Sequence, residues 1–234
     1  MNSGLPLASL VQTGPIYSIG ELGIPSSLVN RDIENGVLVM ERDGIRITSK
    51  FNIAESALTI SHKLENNSTF QSKPFTVIEP LRLMFNIKSE EWTHVYCNGG
   101  TSEAFYPPLA FRTHERSKSW EQSPQDSFQH HPPFTIDSDP GGRSSNKHLP
   151  ILLSVANCID EKPALFCGME WSGGWYIKFE RVDDGKSCLV AGLKIGRLQL
   201  DPGECLELPT VHLGLFSGGT SAATNHLRKY LHKN

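Results

Sequence analysis

The stretch LFCGMEWSGGWYIKFE, from Leu165 to Glu180, decides the fold class. Its apolar residues alternate with other residues on both sides of a Ser-Gly-Gly break, which is the pattern of two β-strands joined by a turn. A three-residue turn, Ser172 to Gly174, would pair Trp171 with Trp175 and place the apolar side chains of both arms on one face. The sequence therefore predicts a β-hairpin closed by two tryptophans, with a left-handed glycine in its turn.

The same alternation recurs along most of the chain. It predicts a hairpin around Asp43-Gly44, and a type II turn centred on Pro202 and Gly203. Pro80 interrupts one run and indicates a bulge or an edge position there. Each strand has one face to bury, and a second sheet is the economical partner for it. We therefore expect an all-β fold, a large twisted antiparallel β-sandwich. The apolar runs that predict its strands are 37–40, 45–47, 58–64, 75–87, 151–155, 165–180, 189–200 and 206–215.

The two ends of the chain differ from this β region. Residues 1–27 are rich in Gly, Pro and Ser and predict an extended leader, so the sandwich is expected over 28–217. Residues 218–234 predict an amphipathic linker helix, capped by Thr220 or Ser221. The residues expected on its apolar face are Ala223, Leu227, Tyr230 and Leu231.

Composition narrows the classes of function. The 234 residues carry a net charge of −3 with acidic and basic residues mixed, which gives no electrostatic support for nucleic-acid binding. No stretch approaches the ~20 apolar residues of a membrane span. The five cysteines have no C-x-x-C spacing, and we expect free buried thiols in a reducing compartment, hence a cytoplasmic protein.

Few residues carry recognisable chemistry. The segment from Thr113 to His148 has no sustained period, and loops of this length are usually functional or disordered. Because it contains Trp120, Phe128 and Phe134, we expect it to fold back over the sandwich or onto another domain. Its His130-His131 and Asp137-x-Asp139 pairs have the residue types of metal ligands, but adjacent histidines in an extended chain point to opposite sides, so we predict no metal site. His62 lies on an apolar stripe and predicts a core histidine. No nucleotide, zinc or nucleophile motif occurs, so we predict no cofactor and no catalytic residue.

Two groups of residues leave alternatives open. Glu170, Glu204 and Glu207 are candidates for general acid–base work, but nothing in the sequence brings two carboxylates to the roughly 5 Å that retaining glycosidases need. We expect them on the surface or in turns. Trp171 and Trp175 either complete a core or interface, or form a platform on which a sugar ring stacks.

Several motifs occur in an order that resembles the N-terminal part of glycoside hydrolase family 36, the α-galactosidases. They are LENNSTFQSKPFTVIEPLRL, GRSSNKHLP (Gly142 to Pro150), GMEWSGGW (Gly168 to Trp175), Gly192 followed by Leu200-x-Pro-Gly-Glu, and LPTVHLGLFSGGTSAATNHLRKYL. The resemblance runs from about Val37 to Leu231.

This resemblance implies a β-supersandwich that precedes a (β/α)8 catalytic barrel. In the family the barrel holds both catalytic aspartates, one of them in a Lys-x-Asp motif, and neither is present here. The chain alone is therefore expected to be inactive, with the barrel as its partner. The resemblance makes Arg143, Asn146, Trp171 and Trp175 candidates for the rim of the substrate pocket or for a domain interface. Two alternatives stay open: a stand-alone carbohydrate-binding module that uses the tryptophan platform, and a scaffold domain that forms homo-oligomers.

Overall fold

The structure is a computed structural model that describes residues 11–12, 15–19, 22–25, 36–54, 57–88, 91–98, 111–115, 133–138, 147–157, 160–183 and 185–233. Most of these residues lie in β-strands, and an α-helix lies at the C-terminal end of the described residues. The elements are β1 (Val11–Gln12), β2 (Pro15–Ile19), β3 (Leu22–Pro25), β4 (Val37–Arg42), β5 (Ile45–Ala54), β6 (Ala57–Asn66), β7 (Ile78–Glu79), β8 (Leu81–Phe85), β9 (Trp92–Asn98), β10 (Phe111–Glu115), β11 (Phe134–Asp137), β12 (His148–Ala156), β13 (Ala164–Glu170), β14 (Trp175–Asp183), β15 (Lys186–Leu193), β16 (Cys205–Glu207), β17 (Thr210–Phe216) and α1 (Gly219–Lys233).

Two large antiparallel sheets form a sandwich, which confirms the predicted fold class. The five-stranded sheet has the order β1-β8-β15-β14-β11. The nine-stranded sheet has the order β10-β9-β12-β13-β17-β6-β5-β4, with β16 also paired to β6. A three-stranded sheet, β3-β2-β7, accompanies them. The two large sheets contribute inward-facing apolar side chains to one core, as sandwich packing requires.

An aromatic cluster fills the middle of this core. The rings of Trp92 and Phe179 have centroids 4.9 Å apart, and the ring of Phe85 contacts both. The indole nitrogen of Trp92 donates a hydrogen bond to the Ser187 hydroxyl at 3.0 Å, so its burial leaves no polar atom unsatisfied. These contacts join β9 of one sheet to β8 and β14 of the other.

The predicted hairpin from Leu165 to Glu180 is wrong. Strand β13 pairs with β12 and β17 in the nine-stranded sheet, whereas β14 pairs with β11 and β15 in the five-stranded sheet. Residues 171–174, here called the arch, cross from one sheet to the other. Trp175 therefore lies opposite Leu193 and not opposite Trp171. Alternation identifies which side chains share a buried face, but it does not decide whether two such faces lie side by side or meet across a core.

Two predicted turns are confirmed. Strands β4 and β5 form a hairpin closed by Asp43 and Gly44, with φ values of 53° and 76°, the conformation that a two-residue hairpin loop needs. Gly203 has a φ of 78°, and the amide of Glu204 donates to the carbonyl of Asp201 at 2.9 Å, as in a type II turn.

Two other predictions fail in part. Pro80 does not mark a bulge: β7 before it pairs in the three-stranded sheet, and β8 after it pairs in the five-stranded sheet. The segment from Thr113 to His148 is not without strands, because β11 lies inside it. A four-residue strand is too short for its period to stand out among polar neighbours.

Helix α1 packs on the outer face of the nine-stranded sheet. Ala223, Leu227 and Tyr230 are buried there against β12, β13 and β17, as predicted for three of the four apolar positions. The prediction that Leu231 lies on the buried face is wrong, because its side chain is 58% exposed. The helix begins at Gly219, so the predicted caps Thr220 and Ser221 lie inside its first turn. The domain limits at residues 27 and 217 stay predictions. No helix among the described residues has the length and apolarity to cross a membrane.

Candidate functional site

The arch brings one tryptophan into the core and leaves the other at its edge. Trp175 is 0% exposed, whereas Trp171 is only partly buried and packs against the core cluster. The arch glycines serve close packing and not a left-handed turn, because neither Gly173 nor Gly174 has a positive φ. A Cβ at Gly173 would lie 2.5 Å from Nε1 of Trp171, so the absence of a side chain there lets the indole lie over the backbone.

Backbone and side-chain hydrogen bonds fix the start of β14 to the end of β11. The amide of Trp175 donates to the Ser138 hydroxyl at 3.1 Å, and the amide of Ser138 donates to the Trp175 carbonyl at 3.0 Å. The amide of Lys194 donates to the Gly174 carbonyl at 2.9 Å. The arch is therefore held from both sides.

Asp137 is the centre of a charged cluster beside the arch. Its carboxylate accepts hydrogen bonds from the ammonium groups of Lys147 and Lys194, each at 2.7 Å. Partial burial alone would raise the pKa of Asp137, but the two lysines outweigh it and hold that pKa below its ordinary value. Lys194 also donates to the Ser138 carbonyl at 2.7 Å. Both oxygens of Asp137 are thus occupied, which makes it an anchor and not an acid–base group.

His148 completes this cluster. Its Nδ1 lies 3.0 Å from the Asp137 carbonyl oxygen and 3.2 Å from the Asp137 amide nitrogen. Burial lowers the pKa of His148, although the hydrogen bond to Asp137 works in the opposite direction. The ring edge packs on Tyr96 with centroids 5.5 Å apart.

Arg143 and Asn146 lie outside the described residues, as do His130, His131 and Asp139. The ends of the segment that carries Arg143 and Asn146 are described. The described residues on either side of it are Ser138, which exchanges hydrogen bonds with Trp175, and Lys147, which donates to Asp137.

A second ion network joins β14 to β7 and β8. Arg82 donates to Glu79 at 3.1 Å and to Glu180 at 3.0 Å, and Lys178 lies 2.9 Å from Glu180. The hydroxyl of Tyr176 donates to Glu79 at 3.0 Å, and burial and this carboxylate raise the pKa of Tyr176. Salt bridges occupy both carboxylates, so they serve cross-strand packing rather than proton transfer.

The ring of Tyr176 lies directly over Gly192, and any Cβ on Gly192 would collide with it. Packing of the Tyr176 ring therefore requires a glycine at position 192, the first residue of the motif that continues with Leu200-x-Pro-Gly-Glu.

The remaining candidate acids and bases are structural. His62 is buried, as predicted: Nε2 donates to the Pro80 carbonyl at 2.8 Å, so Nδ1 accepts from the Ser49 hydroxyl at 2.8 Å. Glu170 is exposed and lies 3.1 Å from Nε2 of His212. Glu204 and Glu207 are exposed near the turn, as expected. Within the described ranges, no group of three or more His, Cys, Asp or Glu side chains could hold a metal ion.

The described cysteines are free thiols. Cys97, Cys167 and Cys188 are buried, and burial raises the pKa of Cys167 and of Cys188 to about 12. Such thiols are poor nucleophiles. Cys205 is exposed, contrary to the prediction, and Cys158 lies outside the described residues.

The sequence indicates Trp171 as a candidate but not the groups that fix the end of the arch at Gly174 and Trp175. Ser138 and Lys194 gave no signal, because their partners are distant in sequence. The sequence around Asp137 is misleading, because the spacing of Asp137 and Asp139 resembles that of metal ligands. The actual partners of Asp137 are two lysines brought together by β12 and the end of β15.

Comparison with known proteins identifies the fold. No family model and no curated protein matches this chain. Among solved structures, the galactosidase domain of the α-galactosidase–sucrose kinase AgaSK is 17% identical, with a TM-score of 0.56, over 80% of this chain and 24% of that one. The α-galactosidase AgaA of glycoside hydrolase family 36 from Geobacillus stearothermophilus is 14% identical, with a TM-score of 0.56, over 92% of this chain and 28% of that one. The α-galactosidase from Lactobacillus brevis is 14% identical, with a TM-score of 0.53, over 90% of this chain and 26% of that one. The chain thus has a fold found in these enzymes and spans about a quarter of their length, which confirms the resemblance at the level of the fold.

Proposed function

We propose that this chain is the non-catalytic β-sandwich domain of an α-galactosidase-like retaining glycoside hydrolase, and that it packs against a (β/α)8 catalytic domain. The observation that carries this proposal is the partial match. The match covers 80–92% of this chain but only 24–28% of the α-galactosidase chains. The ordered motifs in the sequence resemble the same family independently of the structure.

The chemistry of the described residues supports a non-catalytic role. A retaining glycosidase needs two carboxyl groups roughly 5 Å apart, one of them able to donate a proton. Glu79 and Glu180, which share Arg82 as a partner, are both held in salt bridges, and neither is placed to donate a proton. The reaction therefore belongs to the catalytic domain.

The arch end is the surface that we propose for contact with that domain. Trp171 presents a partly exposed indole on a backbone fixed by Ser138 and Lys194. Arg143 and Asn146 lie between Ser138 and Lys147 in the sequence, and we propose that they contribute to the same surface. A rigid aromatic side chain next to paired charges is the composition expected where two domains meet around a polar ligand.

The first test is an assay of the purified chain with an aryl α-galactoside. We expect no turnover above buffer, and turnover by the chain alone would contradict the non-catalytic role. The second test uses the longer reading frame, or a separately encoded barrel added to the chain. There Trp171→Ala should lower kcat/KM by about tenfold, as loss of a central interface aromatic does. Leu231→Ala, an exposed control, should leave it unchanged.

The alternatives receive less support. A tryptophan platform for sugars needs two accessible rings, and Trp175 is 0% exposed. An oligomerisation scaffold has no specific contact in its favour. Saturable sugar binding that is lost in Trp171→Ala, in a chain that fails to activate any barrel, would favour the first alternative.

A further inference from the structure

A groove of about 780 Å³ lies beside the Asp43-Gly44 turn and is lined by none of the arch residues. Its floor is apolar and buried, with Ile19, Ile45 and Phe75 at 5% exposure or less. This volume falls within the range of small-molecule sites, roughly 300–1,000 Å³.

One wall of the groove carries an aromatic ring that the core does not use. Phe70 is 76% exposed. Its backbone is nevertheless fixed, because its carbonyl accepts hydrogen bonds from the Asn66 amide at 2.8 Å and from the Ser68 hydroxyl at 2.7 Å. The Asn66 side chain also donates to the Leu200 carbonyl at 2.8 Å and accepts from the Ser68 amide at 3.0 Å. A buried asparagine thus holds an exposed phenylalanine in place.

The chain that follows Phe70 is tied down with equal firmness. The amide of Ser72 donates to the Leu200 carbonyl and the Ser72 hydroxyl accepts from the Leu200 amide, both at 2.9 Å. The amide of Phe75 donates to the Leu198 carbonyl at 2.7 Å. The groove is therefore preformed, and a ligand would not have to order its walls.

The rim of the groove is polar and carries charges of both signs. Arg42, Asp43 and Lys73 line it, and Lys73 lies 3.8 Å from the Asp43 carboxylate. The Gln71 amide is held by a hydrogen bond to Asp201 at 2.8 Å. With Lys73 beside Asp43, the charged lining residues leave a net charge of +1 on an exposed rim, too little to select phosphates or other strongly charged ligands.

We propose that this groove binds a neutral oligosaccharide. The ring of Phe70 would stack against the apolar C–H face of one sugar unit, and the rim residues would exchange hydrogen bonds with its hydroxyl groups. A protein partner fits less well, because a stable interface buries about 800 Å² on each side and centres on several apolar anchors. Here the exposed apolar side chains of the groove are Phe70, Pro74 and, at 39% exposure, Val77, and only Phe70 is aromatic. The inference rests on the groove itself and is independent of any catalytic domain.

Calorimetric titration of the purified chain tests this site. The probes are neutral gluco-, galacto- and manno-oligosaccharides of three to five units. At least one should bind saturably, and Phe70→Ala should weaken that binding at least tenfold, in line with the roughly 1.4 kcal/mol that a tenfold change represents. Phe70→Tyr, which keeps the ring, should retain it. Leu231→Ala, another exposed apolar residue outside the groove, should bind as the wild type does.

The opposite results are distinct. Binding that survives Phe70→Ala would place the sugar elsewhere and overturn the proposal. Absence of binding across the panel would also overturn it. If, in addition, Phe70→Ala lost self-association or binding to a barrel domain, the groove would be a protein contact instead of a sugar site. Thermal unfolding of each variant guards against misfolding, which is not expected at a side chain that is 76% exposed. Inactivity of the chain toward aryl α-galactosides bears on the proposed function alone.

Discussion

At the scale of single residues, the most informative side chain is His62. It is buried and neutral between Ser49 and Pro80, and burial lowers its pKa from 6.5 to about 4. The unfolded chain therefore binds a proton below pH 6.5 that the folded chain binds only near pH 4. The stability that the neutral ring contributes is complete above pH 6.5 and is lost as the pH falls to 4.

We predict that the free energy of unfolding drops by roughly 3 kcal/mol between pH 6.5 and pH 4 because of this residue. Urea denaturation across that interval measures it, with His62→Gln as the comparison, since the amide can still donate to Pro80 but does not titrate. Wild type and variant should converge at low pH. Parallel pH profiles for the two proteins would show that His62 is protonated in the folded state.

Two adjacent asparagines offer a matched pair. Asn66 is 1% exposed and its side chain bonds to Phe70, Leu200 and Ser68, whereas Asn67 is exposed. Asn66→Ala should cost about 3 kcal/mol, because it leaves several buried groups unsatisfied. Asn67→Ala should change stability by less than about 0.5 kcal/mol. Equal losses in urea denaturation would mean that the side chain of Asn66 is not the anchor described.

At the scale of elements, the arch depends on Gly173. Gly173→Ala should force the indole of Trp171 aside and cost about 1–3 kcal/mol, the usual range for overpacking. Gly196→Ala is the control, because nothing lies within 4 Å of a Cβ there. Thermal unfolding and tryptophan fluorescence report the two effects. Unchanged fluorescence and stability in Gly173→Ala would contradict the packing of Trp171 over the arch.

Helix α1 is fixed to the sheet mainly through Tyr230. Its hydroxyl lies 2.6 Å from Nδ1 of His212, and its ring contacts Phe166 at a centroid distance of 5.4 Å. Tyr230→Phe keeps the ring and should cost about 1 kcal/mol, the usual value of one hydrogen bond. Leu231→Ala should be nearly neutral. A larger loss of stability in Leu231→Ala would mean that Leu231 is packed against the sheet, as the sequence predicts.

At the scale of the whole molecule, the local period predicts the strands but not their partners. The alternation of Leu165, Cys167 and Met169 correctly identifies a face of β13, and that of Ile177 and Phe179 a face of β14. Whether these faces share a sheet depends on contacts with β11, β12, β15 and β17, which are remote in sequence. The same limit hides the anchors of the candidate site, since Asp137, Lys194 and Ser138 meet only through the sheet topology. A turn is determined by its own residues, so the Asp43-Gly44 and Pro202-Gly203 turns are predicted correctly from the local sequence.

The family motifs gain a physical reason from the fold. Gly192 accommodates the ring of Tyr176, Asn66 anchors the Phe70 turn, and the Pro202-Gly203 turn meets Asn66 through the bond from the Gly203 amide to the Asn66 carbonyl at 2.8 Å. The contacts of these three motif positions stabilise the sandwich. That is what the proposed non-catalytic role requires.

Hydrolysis of an aryl α-galactoside, measured in parallel for residues 1–234 and for the longest product of the same reading frame, tests the central claim most directly. We expect no turnover by residues 1–234 and turnover by a product that adds a barrel. Turnover by residues 1–234 alone would contradict it.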